Sequence, residues 1–158
     1  AISSNVKKVP QSKEVGVSQE MVQSLGNHLI VELYDCCPKA INDVHFVEAA
    51  MQKAVAVSGA TMVQSVIHEF NPHGVSGVVV IEESHFTVHT WPEYGYCALD
   101  IFTCGTEVDY YSALNYLKEA FKSKNLSVSE IKRGILDLPI RLLHKPEKRD
   151  EEICEQAV

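Results

Sequence analysis

The pattern of apolar and polar positions divides this 158-residue chain into a polar start, a long middle with clear periodicities and a charged end. Residues 1–20 carry Pro10 and Gly16 and sustain no period, which predicts a mobile arm. Order begins near LGNHLIVELYDC, where His28 to Tyr34 reads as a buried strand closed by Asp35 and Pro38. Val44, Val47, Met51, Ala54 and Val55 then recur at helical spacing, so a helix is expected over 43–58, with Asn42 as N-cap and Gly59 as stop. TMVQSVIHEF alternates as a strand does, and NPHGVSG has the turn-formers of a loop. VVVIEE is β-branched, and HFTVHT continues in extended character up to Pro92. YCALDIFTC is a further strand, closed by Gly105. Asp109 caps a second helix to about Lys124, in which Leu114, Leu117 and Phe121 share a face. NLSVSEIKRGILDLPIRLL supplies one or two late strands, and residues 146–158 form a charged tail.

Consecutive strands in the middle are too close for helical crossovers, so the sheet must be mostly antiparallel with its helices on one face. The expected fold class is α+β, a two-layer sandwich built as one domain over residues 21–145. GVVVI is apolar on both sides, which implies that the second face is covered too. A second subunit is the simplest cover, giving a homodimer with its sheets stacked face to face.

Composition narrows the classes. With 46% hydrophobic and 22% charged residues the chain is ordinary for a globular protein, and a formal charge of -7 speaks against a non-specific nucleic-acid binder. Five cysteines, an odd number that includes the neighbours Cys36 and Cys37, form neither a C-x-x-C pair nor a disulfide framework, so reduced thiols are expected. The start has no apolar signal region, and no run reaches the roughly eighteen apolar residues of a membrane span. A cytoplasmic protein with no membrane partner is the expectation.

The stretch VVVIEESHFTVHTWPEYGYCALDIFTCG gathers reactive side chains in strand-like surroundings. Zinc on His85, His89, Cys97 and Cys104 is disfavoured. Strand residues four apart lie about 13 Å apart, and Cys97 and Cys104, seven apart, fall on opposite faces. No metal is therefore expected. Pyridoxal phosphate would need a phosphate cup, and no Gly-rich strand-to-helix turn supplies one. A Cys-His hydrolase pair has no local support. Taken singly, each residue has an ordinary use: Ser84 as a strand end, His85 and His89 as sheet residues, Cys104 as a small hydrophobe, Phe70 as a core aromatic, Trp91 as packing, Glu93 as a loop acid and Ser76 as a turn hydroxyl. Their joint order and spacing are what such uses leave unexplained.

That order is specific. HEFNPHGVSGVVVIEESHFTVHTWPEYGYCALDIFTCG closely resembles the bacterial and archaeal type of S-adenosylmethionine decarboxylase proenzyme, from about residue 25 through Gly105. The chain departs from that type mainly in its longer polar arm and its acidic tail. The resemblance implies autocatalytic serinolysis of the Glu83-Ser84 bond into chains 1–83 and 84–158. Ser84 becomes a pyruvoyl group that takes the substrate amine as a Schiff base, with no pyridoxal phosphate. It further implies Ser76 as the donor that stabilises the cleavage oxyanion, His89 as the acid/base of processing and Cys104 as the proton donor in decarboxylation. Phe70 is implied to stack on adenine and Glu93 to bind the ribose. The substrate would be S-adenosylmethionine, the product the aminopropyl donor for spermidine synthesis, and the assembly a homodimer of cleaved protomers. Two alternatives stand beside this: a pyruvoyl-dependent arginine decarboxylase on the same fold, and a non-cleaving regulatory paralogue.

Overall fold

The structure, a computed structural model, describes residues 24–104 and 107–137; the expected arm, tail and Gly105 lie outside the described residues. Six strands, β1 (Gly26–Tyr34), β2 (Met62–Glu69), β3 (Val75–Ile81), β4 (Ser84–Trp91), β5 (Tyr96–Cys104) and β6 (Asn125–Arg133), form one sheet. Their order is β2-β3-β4-β5-β1-β6, and each neighbouring pair is antiparallel. Among the described residues there are also three helices, α1 (Pro38–Asn42), α2 (Val44–Val57) and α3 (Tyr110–Ala120), and a 3-10 turn at Pro92–Tyr94. The expected α+β architecture, an antiparallel sheet with helices on one face, is the one observed.

Strand alternation explains the layering. On β4 and β5, Phe86, Val88, Leu99 and Ile101 are buried on one face, joined by Leu29, Val31 and Leu33 of β1. Against them α2 packs Val47, Ala50, Met51, Ala54 and Val55, and α3 packs Ala113, Leu114 and Leu117. Each large aliphatic or aromatic side chain fully buried here contributes about 1.5–3 kcal/mol relative to exposure. Among the described residues the other face bears no helix. It presents Ile30, Tyr34, Val66, Val80 and Trp91, all more than a third exposed. Among the described residues no helix is long and apolar enough to cross a membrane.

Several boundaries differ from expectation, each for a local reason. The carboxylate of Asp43, not the amide of Asn42, caps α2 by accepting from the Phe46 N–H at 3.0 Å. Asn42 instead ends α1, a turn started by Pro38, whose missing N–H costs nothing at a helix start. β3 begins at Val75, inside the stretch expected to be a loop. The extended run up to Pro92 is two strands, because the chain reverses at Glu82 and Glu83. The second helix stops at Ala120, before Lys124, with Phe121 as its C-cap.

Candidate active site

The hairpin turn between β3 and β4 holds Ser84 under tension. Glu82 N–H donates to the Thr61 carbonyl at 2.9 Å, and Thr61 N–H donates back to the Glu83 carboxylate at 3.2 Å. The main-chain carbonyl of Glu83 accepts from Cys104 N–H at 2.8 Å. With both sides of the turn fixed, Ser84 adopts φ 149°, a left-handed value that costs a residue with a Cβ on the order of 1–3 kcal/mol. Its Oγ lies 3.5 Å from Cys104 Sγ. Peptide 83–84 thus has its carbonyl already hydrogen-bonded, a strained residue on its nitrogen side and a thiol beside the hydroxyl.

A second cluster sits at the opposite end of the same strands. Ser76 Oγ and His89 Nδ1 are 2.8 Å apart, on residues that face each other across β3 and β4. Just beyond, Phe70 meets the His68 ring edge to face, with centroids 4.6 Å apart. His73 Nε2 lies 3.2 Å from Glu93 Oε2. Asn42, Asp43, His45, Glu69, His73 and Glu93 line part of a groove of about 720 Å³ at this end.

The two clusters do not meet within one chain. Ser84 and His89 are five residues apart on β4, about 16 Å at 3.3 Å per residue, and opposite in strand parity. Of the seven residues singled out from sequence, Glu83, Ser84 and Cys104 come together at one end; at the other, Ser76 pairs with His89, while Phe70 packs on His68 and Glu93 pairs with His73. In particular, the donor on the Glu83 carbonyl within this chain is the backbone of Cys104, whereas the Ser76 hydroxyl is engaged with His89.

Between the ends runs a polar belt on the helix-free face. His28 Nε2 is 3.0 Å from Asp100 Oδ1, and the Thr87 hydroxyl donates to Asp100 Oδ2 at 3.2 Å. The Tyr96 hydroxyl donates to Glu32, and burial together with that carboxylate pushes the Tyr96 pKa upward. His85 lies beside Phe102, and burial lowers its pKa; His28 and Arg133 add to the fall while Asp100 opposes it. Sequence reasoning missed Thr61, His73, Asp100 and the true role of Asn42. Each acts on a partner distant in the chain, so no local pattern marks it; only the turn residues around His73 hinted at a shaped loop.

A strained serine, a thiol and a Ser-His pair gathered at the two ends of an open antiparallel sheet make the build of an α+β enzyme. The family model described as S-adenosylmethionine decarboxylase matches residues 27–134. The S-adenosylmethionine decarboxylase proenzyme of Thermotoga petrophila is 52% identical over 116 residues, covering 73% of this chain and 89% of that protein. The proenzyme of the same name from Thermosipho africanus is 50% identical over 129 residues, covering 80% and 99%. Among solved structures, the adenosylmethionine decarboxylase of Aquifex aeolicus aligns with a TM-score of 0.69 at 31% identity, over 76% of this chain and 99% of that one. The chain belongs to the S-adenosylmethionine decarboxylase family.

Proposed function

We propose that this protein cleaves itself at Glu83-Ser84, carries the resulting pyruvoyl group and works as a homodimer whose sites each draw on both chains. The activity is the decarboxylation of S-adenosylmethionine in polyamine biosynthesis. The observation that carries the processing step is the held peptide at Ser84: φ 149°, with the Glu83 carbonyl already accepting from Cys104 N–H.

Ser84 Oγ adds to the Glu83 carbonyl carbon, and the negative charge gathers on an oxygen that meets the Cys104 N–H as an oxyanion-hole donor. The C–N bond breaks, the nitrogen takes a proton, and an ester joins Glu83 to the Ser84 side chain. Rotation away from φ 149° relieves strain as this happens. A base then removes the Ser84 Cα proton, the Cβ–Oγ bond breaks, and Glu83 leaves as a carboxylate. Residue 84 is then dehydroalanine. Its imine tautomer adds water and loses ammonia to leave the pyruvoyl group.

His89 is the base in this scheme. Ser76 Oγ, 2.8 Å from Nδ1, holds the ring, and in the tautomer whose Nδ1–H donates to that hydroxyl the Nε2 lone pair takes the proton. At about 16 Å from Ser84 of its own chain it serves Ser84 of a second copy. The uncovered sheet face, with Ile30, Val66, Val80 and Trp91 exposed, supplies the apolar surface for that copy to bury.

The pyruvoyl carbonyl supplies an electron sink for the pair released with carbon dioxide. Cys104 Sγ, beside position 84, returns a proton to the substrate α-carbon. Phe70 offers adenine a stacking face and attracts the sulfonium charge, and Glu93 accepts from the ribose hydroxyls. The arginine and non-cleaving alternatives are not favoured, since the matched family and relatives carry the adenosylmethionine activity.

Intact mass under denaturing conditions, with and without borohydride, tests the processing. Two fragments split at Glu83-Ser84, the second shifted by reduction, are expected. A single stable 17.6 kDa chain after prolonged incubation would remove the basis of the scheme.

A further inference from the structure

We infer that His73 is a positioning residue, fixing the Glu93 carboxylate and so setting how strongly the site prefers a sugar bearing both ribose hydroxyls. The inference rests on the assignment of Glu93 to the ribose.

Glu93 belongs to a 3-10 turn only three residues long, and its side chain is about one third exposed, 35%. Left alone, such a carboxylate samples several rotamers and loses that freedom when a diol binds. His73 removes the freedom beforehand. Its Nε2 lies 3.2 Å from Oε2, leaving Oε1 and the second lone pair of Oε2 to accept from a vicinal pair of hydroxyls. Among the described residues His73 is the one basic side chain within ion-pair distance of Glu93.

The loop that carries His73 is itself built to stay in place. Phe70 N–H donates to the Gly74 carbonyl at 2.8 Å, closing the loop on itself. Asn42 Oδ1 accepts from Gly74 N–H at 2.9 Å, and Thr90 Oγ1 accepts from Val75 N–H at 2.8 Å. Gly74 has φ 101°, and a Cβ there would stand 3.2 Å from the Thr90 carbonyl, so the chain needs glycine to pass so close to β4. Helix α1, strand β4 and the loop's own closure therefore place Phe70 and His73 as one unit. Through His73 that unit also reaches Glu93, which links the adenine-side aromatic to the ribose-side acid.

The test uses the cleaved enzyme as wild type, His73→Ala and His73→Gln. Steady-state kinetics with S-adenosylmethionine are measured alongside dissociation constants for 5'-methylthioadenosine and its 2'-deoxy analogue. His73→Ala is expected to raise KM and the methylthioadenosine Kd about five- to tenfold, with kcat nearly unchanged, while binding of the deoxy analogue moves little. His73→Gln, whose amide can donate to the same oxygen, should recover most of the loss. Self-cleavage and melting temperature should be unaffected, which separates positioning from a folding defect. If wild type prefers the ribonucleoside and His73→Ala keeps both that preference and the wild-type KM, the role of His73 is overturned while that of Glu93 stands. If wild type does not distinguish the two nucleosides, the Glu93 assignment falls and takes the inference with it.

Discussion

Co-expression of a Ser84→Ala chain with a His89→Ala chain separates a site made within one protomer from one shared between two. Hydrogen-bond reach is about 3 Å, whereas Ser84 and His89 of one chain stand about 16 Å apart along β4, so His89 has no access to its own Ser84. In a mixed dimer, one shared site combines intact Ser84 from the His89→Ala chain with intact His89 from the Ser84→Ala chain. The other shared site lacks both. Random pairing of equal amounts gives about half mixed dimers, so about half of the chains that retain Ser84 should cleave. Alone, Ser84→Ala cannot cleave, and His89→Ala should be slowed by about 10²–10⁴-fold, the usual worth of a general acid or base. Different affinity tags on the two chains and intact mass spectrometry of the mixed species give the fraction directly. Full-length Ser84-bearing chains in purified mixed dimers would refute the shared site, as would His89→Ala homodimers that cleave at the wild-type rate.

Further expectations follow from the same geometry. Burial lowers the His85 pKa, so the fold favours its neutral form; that contribution is complete above the unfolded value of about 6.5 and is lost as pH falls below it toward the depressed folded value. Urea midpoints measured from pH 8 to 5 should therefore drop more steeply for wild type than for His85→Asn, and equal slopes would contradict the burial argument. Gly26→Ala should cost about 1–3 kcal/mol in denaturant unfolding and slow self-cleavage, because its Cβ would stand 2.8 Å from both Phe102 Cε2 and the Thr103 carbonyl, next to Cys104. Val66→Lys, at an exposed position on the helix-free face, should shift sedimentation from dimer to monomer with little change in melting temperature of the monomer fold; an unchanged dimer would place the partner elsewhere.

Much of the sheet was legible because its strands alternate. YCALDIFTC has the bounds read from its pattern, since period-two burial of Cys97, Leu99, Ile101 and Thr103 is written in the residues themselves. The hairpin at Glu82 and Glu83 was not legible. Neither residue is a strong turn-former, and the reversal there is held by Thr61 and Cys104, which lie far away in sequence. Asn42 reads as a cap in the sequence for a related reason: a cap and a tertiary hydrogen bond make the same demand on an amide, and only the fold shows that Gly74 is its partner.

By itself the sequence determined the alternation that builds the sheet, the helical faces that cover one side of it, and the ordered set of reactive residues that resembles one family. Tertiary structure decided which of those residues meet. Strand pairing sets Ser84 beside Cys104 and Ser76 beside His89, and the rise of an extended chain keeps the two pairs apart. Spacing along a sequence measures distance only within one straight element. Contact between elements depends on register and on where the chain turns, and here both are fixed by hydrogen bonds between residues remote from one another.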